Sequence, residues 1–117
     1  MRYMLMFFAD EEAWMAMSEE ERLQAIGRIG AWYGEHTGAG RIVEGRRLHG
    51  KSGAKTVRLG RTGRSGKPMV VDGPFLETKE AIGSYAIVEA AGIDEAVDVA
   101  RSWPAGGAVE VRPVAEE

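Results

Sequence analysis

Val70-Val71-Asp72-Gly73-Pro74-Phe75-Leu76-Glu77-Thr78-Lys79-Glu80, running on into Ala81-Ile82-Gly83-Ser84-Tyr85, decides how the rest of the chain is read. A short β-branched run stops at Asp-Gly-Pro. Pro74 fixes its own φ and removes a backbone donor, and Gly73 tolerates the geometry this imposes on the residue before it. Asp72 suits an Asx-type turn, its short carboxylate accepting from amides further along. Phe75 and Leu76 then fit as core plugs or subunit contacts, and a polar cluster, Glu77 to Glu80, precedes another apolar run. The segment reads as a joint, where one strand returns, the chain turns and a second strand sets out.

On the N-terminal side of the joint lies a basic block. Nine Lys or Arg residues and a single acid, Glu44, fall between Arg41 and Lys67, although the whole chain carries a net charge of −3. Arg41–Leu48 reads as a strand and His49–Ala54 as a Gly-rich loop. Lys55–Gly60 and Pro68–Val71 pair around a turn at residues 61–66 as a projecting hairpin. Such a block attracts an anionic small molecule or an acidic partner. It contains no Phe, Tyr or Trp, so nucleic acid is not the expected partner.

On the other side of the joint, Gly83–Ala90 is a strand with apolar residues on both faces. So is Arg2–Ala9, where Tyr3, Leu5 and Phe7 alternate with Met4, Met6 and Phe8. Asp10–Met17 is a connection containing a helical turn, with Trp14 and Met15 packing down. Ser18-Glu19-Glu20-Glu21 is a capping box, and Leu23, Ile26, Ile29 and Tyr33 recur at helical spacing toward a stop at Gly38. Gly27, Gly30 and Gly34 inside this helix point to close packing against a sheet. Asp94 is the expected cap of a second helix bearing Ala96, Val97, Ala100 and Trp103, which ends at Pro104. Ala108–Val114 alternates as a last, edge-like strand.

The order strand, helix, strand, hairpin, strand, helix, strand is the split βαβ pattern with an inserted hairpin. The fold class is α+β, in one domain over residues 1–117, a size that supports a single core. Right-handed crossovers place both helices on one sheet face. The double-sided apolar strands then need cover on the other face, and a second copy in a two-fold homodimer is the economical source. There is no cysteine, which excludes disulfide and thiolate chemistry. No apolar run approaches the roughly 20 residues of a membrane span, and the apolar start at Met4–Ala9 breaks off too soon for a signal peptide. A soluble, cytoplasmic protein without a membrane partner is expected.

Asp72 is the candidate for chemistry, as a general base or the orienting partner of a histidine. Tyr3, Tyr85 and the hairpin's Arg58 are candidate ligand contacts, and Thr78 with Lys79 could bind a carboxylate or phosphate. His36 stands near a helix C-terminus, where the dipole favours its cation, and His49 sits among basic loop residues. Two histidines without a third convincing ligand do not make a metal site, and no cofactor is expected.

The joint motif, with Gly83 and Tyr85-Ala86-Ile87-Val88, the opening Arg2-Tyr3-Met4-Leu5-Met6, Ser18-Glu19-Glu20-Glu21-Arg22 and the ending Val109-Glu110-Val111-Arg112-Pro113, resembles the DGPF-motif proteins of the YCII-related family. The resemblance spans nearly the whole chain. It implies a ferredoxin-like domain of the dimeric α/β-barrel type, in a family mostly without assigned activity. Some members stand beside extracytoplasmic-function sigma factors. Relatives are thought to use a His–Asp pair, and one is a dehydrochlorinase. Asp72 matches that aspartate, but the early part of the first helix has no histidine. Two functions follow as expectations. In one, a pocket near Asp72 holds a small polar or anionic organic molecule, with elimination or isomerisation as its chemistry. In the other, a non-enzymatic module presents its basic hairpin to a protein such as a sigma factor.

Overall fold

The computed structural model describes residues 1–59, 68–75 and 80–116. In chain order the elements are β1 (Arg2–Asp10), α1 (Glu11–Ala16), α2 (Glu19–Gly38), β2 (Ile42–Arg47), a 3-10 turn (Lys51–Gly53), β3 (Lys55–Arg58), β4 (Met69–Asp72), β5 (Glu80–Glu89), α3 (Ile93–Arg101) and β6 (Ala108–Pro113). The main sheet has the order β2-β5-β1-β6 with antiparallel neighbours throughout, and β3 pairs with β4 in a separate two-stranded sheet. This is an α+β architecture, compatible with the ferredoxin-like plan. The turn expected at residues 61–66 lies outside the described residues.

β1 is the middle of the structure because it pairs on both sides. Tyr3, Leu5 and Phe7 face the helices, opposite Val88, Ala86 and Ser84 on β5 and Pro113, Val111 and Val109 on β6. Leu5, Ala86 and Val88 are fully buried there. Ala25, Ile29 and Trp32 of α2 and Ala96, Val99 and Ala100 of α3 close over the same face. The opposite face carries Met4, Met6, Phe8, Tyr85 and Ile87, all half-buried, with Glu44, Arg46, Glu110 and Arg112 around them. No helix lies over it among the described residues, and the molecule measures 47 × 43 × 18 Å. A depth of 18 Å corresponds to one sheet and one helix layer, since packed layers lie about 10 Å apart.

The capping box at Ser18 forms as read: Glu21 N donates to Ser18 Oγ at 3.1 Å, and Ser18 N donates to Glu21 Oε1 at 2.9 Å. Those hydrogen bonds hold the Glu21 carboxyl below its usual range. The buried stripe of α2 differs from the expected one. Ala25, Ile29, Trp32 and His36 face the sheet, while Leu23 is 62% exposed. Gly27, Gly30 and Gly34 point to open space, with no atom near enough to demand them. The indole is the largest apolar group on the helix and sets its rotation, which carries the glycines outward. Met15 is likewise exposed, whereas Trp14 packs down. α3 begins two residues earlier than expected, so Asp94 lies in its first turn and Gly92 is the N-cap.

Aromatic packing ties α2, α3 and β1 together. Trp103 stacks on Phe7 with ring centroids 3.7 Å apart, and Trp32 meets both rings edge-on. Trp32 Nε1 donates to Ser102 Oγ at 2.8 Å, and that hydroxyl donates to Val99 O at 2.6 Å. Ser102 Oγ lies 3.1 Å from His36 Nε2, and Arg41 Nε donates to His36 Nδ1 at 2.8 Å. With Nδ1 accepting, the ring is neutral and its proton faces Ser102. Burial, then the nearby Arg41 charge, lowers the His36 pKa from 6.5. This reverses the sequence expectation: the helix dipole is outweighed by desolvation and a guanidinium.

Two tests follow. Trp32→Ala should cost about 3–5 kcal/mol of folding stability in denaturant melts, while Leu23→Ala should stay within about 0.5 kcal/mol; similar losses would mean that α2 is rotated from the orientation described. Because the folded-state pKa of His36 lies below 6.5, its neutral form stabilises the fold above that pH, and the contribution is lost as pH falls from 6.5 toward the folded-state value. The melting temperature should therefore fall more steeply on acidification in the wild type than in His36→Gln. Equal slopes would exclude His36 as the titrating group.

Candidate functional site

A cleft of about 720 Å³ opens at the end of the main sheet where β1 finishes and β5 begins. It arises from two local features. First, β1 and β5 slip register between Phe7 and Phe8: Phe7 pairs with Ser84 and Phe8 with Ile82, so Gly83 is bulged out. Second, Asp10 Oδ1 caps α1 by accepting from Ala13 N at 3.2 Å, so the chain turns sharply off the sheet. Arg22 holds the α1–α2 linker by donating to the carbonyls of Met15 and Met17. α1 becomes one wall, the loop after β2 the opposite one, and the α3–β6 connection the back.

The helix-side lining is apolar, with Phe7, Trp14, Ile29 and Trp103. Asp10, Glu11 and Glu80 stand on the rim on the β1–β5 side, and Arg47, His49 and Lys51 on the loop side. The two sides are clasped at one point: both carboxylate oxygens of Glu11 accept from Lys51 N, each at 3.1 Å. A Cβ at Gly50 would meet Glu11 Oε1, so a side chain there would push that carboxylate aside. Arg47 pairs with the buried Ser84 across β2 and β5. Among the described residues its guanidinium has no hydrogen-bond or ion-pair partner. A volume of this size, an apolar lining and a few convergent polar groups are the usual make-up of a small-molecule site.

None of the described sequence-selected residues, Asp72, Tyr3, Tyr85 and Arg58, lines this cleft. Asp72 ends β4, is highly exposed, and pairs across the hairpin with Lys55 Nζ at 2.6 Å. The joint is held mainly by backbone: Gly73 N donates to Ala54 O at 2.7 Å, Thr56 Oγ1 donates to Gly73 O at 2.8 Å, and Gly73 takes the left-handed φ of 94° that favours glycine. Arg58 lies over the Phe75 ring at 5.1 Å from its centroid. Tyr3 is buried on the helix side, while Tyr85 is on the opposite face beside Met6, so the sheet separates the two hydroxyls. Thr78 and Lys79 are outside the described residues. Tyr33 donates to Tyr85 O at 2.8 Å, and burial pushes its pKa up to about 12. Among the described residues no three His, Asp or Glu side chains converge as metal ligands.

Sequence reasoning missed the cleft because its walls are contributed by segments far apart in the chain. The acids Asp10, Glu11 and Glu12 after the first strand, and Arg47 with His49 after the second, were the available signals. Nothing in the sequence places the two groups opposite each other.

The YCII-related domain model matches residues 1–117, the whole chain. The chain belongs to the YCII-related family. An uncharacterised protein of Rhizobium meliloti (strain 1021) is 34% identical over 119 residues, a match covering 98% of this chain and 93% of that protein. Among the described residues of this YCII-related protein, no helix is long and apolar enough to cross a membrane.

The Glu11 clasp gives a direct test. Glu11→Ala should remove hydrogen-exchange protection from the Lys51 amide and cost about 1 kcal/mol, and Gly50→Ala should do the same by collision. Unchanged protection of Lys51 in both variants would show that the carboxylate does not hold the rim.

Proposed function

We propose that this YCII-related protein is a homodimer that binds a small organic molecule with an apolar body and an anionic end. The cleft at the β1–β5 end is the binding site. The observation that carries this reading is the pairing of an aromatic lining with Arg47, a cation without a partner among the described residues, at the lip. A guanidinium in that position recognises a carboxylate in a planar, two-pronged manner. Trp14 and Trp103 offer flat apolar area to the remainder of the ligand. Elimination or isomerisation would draw on the same rim, whose ionisable groups include His49, Glu11 and Glu80.

In this reading Asp72 ties the two strands of the hairpin together at its base through Lys55 and stands outside the ligand's first contacts. The homodimer is supported by the apolar face of Met4, Met6, Phe8, Tyr85 and Ile87, which has no helix over it among the described residues. Sheet packing against sheet across that face would give the ferredoxin-like domain the dimeric α/β-barrel arrangement that the family resemblance implies.

Binding is checked by tryptophan fluorescence and thermal shift against a panel of small carboxylic acids with aromatic and aliphatic bodies. At least one should raise the melting temperature, and Arg47→Ala should weaken it about tenfold, a loss of about 1.4 kcal/mol. Asp72→Asn should bind as the wild type does. Loss of binding in Asp72→Asn with Arg47→Ala unaffected would move the site to the hairpin and overturn the assignment to the cleft.

A further inference from the structure

Ser84 is a polar residue in an apolar row. It holds an inward position of β5, in line with Ala86 and Val88, and is only 4% exposed. Its partners across the sheet are Phe7 on β1 and Arg47 on β2, and partners in register share a face. Arg47, Ser84 and Phe7 therefore cross three strands on the helix side, and Trp103 stacks on Phe7 at the end of the row. All four residues line the cleft. Among the described residues, Ser84 is the buried polar side chain that does so.

The Ser84 hydroxyl is held in place without being used up. Tyr33 lies against Gly45 of β2, where a Cβ would meet its ring at 2.7 Å, and its own proton goes to Tyr85 O at 2.8 Å. Burial raises the Tyr33 pKa, and a hydrogen bond with Ser84 works against that rise, the sign of a hydroxyl donating to the phenol oxygen. The phenol stays hydrogen-bonded through Tyr85 O when Ser84 turns its proton elsewhere. A serine proton rotates to suit its acceptor, so an acceptor bound in the cleft against Ser84 can take it.

We infer that Ser84 determines which ligands the cleft accepts, its hydroxyl joining the Arg47 guanidinium on a single carboxylate. This contact rests on the binding cleft proposed above and narrows its ligand. A carboxylate can accept a two-pronged guanidinium and still take a hydroxyl proton. Neighbouring strands lie about 4.8 Å apart, so a carboxylate at Ser84 stands about one strand spacing from the Phe7–Trp103 stack. That spacing suits an arylalkanoic acid, whose carboxylate is set off from its ring by a short saturated chain, better than benzoate, in which the two adjoin. Asp10, Glu11 and Glu80 on the facing rim oppose a second carboxylate, so the ligand class is a monocarboxylate.

Isothermal titration of the full chain with phenylpropionate, phenylpropionamide and benzoate tests this. The wild type should bind phenylpropionate more tightly than either of the others. Ser84→Ala should keep the wild-type circular dichroism, because Tyr33 retains Tyr85 O, and should bind phenylpropionate about tenfold more weakly. Its affinity for the neutral amide should fall less, so the acid-to-amide ratio drops; a hydroxyl that serves only Tyr33 would leave that ratio unchanged. Tyr33→Phe should bind phenylpropionate at least as tightly as the wild type, since the hydroxyl loses its competing acceptor, and this variant decides the matter if Ser84→Ala does not fold. An unchanged acid-to-amide ratio in Ser84→Ala, or weakened acid binding in Tyr33→Phe, overturns the role of Ser84. So does a wild type that binds other acids but not phenylpropionate. Loss of acid binding in Arg47→Ala with Ser84→Ala unaffected removes Ser84 and leaves the cleft reading standing. A wild type that binds no carboxylic acid overturns both.

Discussion

Every layer of this protein is set by β1, a strand that is apolar on both faces and hydrogen-bonded on both edges. Tyr3, Leu5 and Phe7 make one side of it the floor of the core, and Met4, Met6 and Phe8 make the other an apolar surface. Alternation with a period of two allows no residue to serve both sides. The two helices therefore satisfy only half of what the strand presents. That imbalance explains the 18 Å depth of a single copy and is the physical basis for expecting a second one.

The helix layer is locked by a small polar group set in aromatic packing. Ser102, at the end of α3, takes the Trp32 indole N–H, faces the His36 imidazole and returns its own proton to Val99 O. Each buried polar atom is satisfied, so the cluster specifies how α2 meets α3 without leaving an unpaired group. It also makes His36 a structural residue. A neutral ring held by Arg41 at Nδ1 and Ser102 at Nε2 has both nitrogens engaged.

The cleft arises where this order ends. There α1 turns away under its Asp10 cap, and the bulge at Gly83 shifts the start of β5. The Glu11–Lys51 clasp then joins two walls that share no strand or helix. The rim loop continues through the 3-10 turn to Ala54, whose carbonyl accepts from Gly73 at the hairpin root. Cleft and hairpin are thus neighbours along one stretch of chain, although they are built from different chemistry.

The strands, both main helices, the capping box and the Asp-Gly-Pro joint were legible in the sequence by itself, because each depends on residues within a few positions of one another. Periodicity reports which face of a strand is apolar, and a Gly-Pro turn needs no partner elsewhere. The family was legible for the same reason, through the run from Val70 to Val88. Three matters were decided only by tertiary structure. The rotation of α2 follows from Trp32 packing edge-on against the stacked Phe7 and Trp103 rings, a long-range match that overrode the Leu23 stripe. The neutrality of His36 follows from Arg41 and Ser102, not from the helix dipole that sequence position suggests. The cleft depends on Glu11 meeting Lys51 and on Arg47 standing beside Ser84, pairings 40 and 37 residues apart in the numbering. Local chemistry marked Asp72 as special because its turn is special, whereas convergence, which only folding produces, placed the polar rim elsewhere.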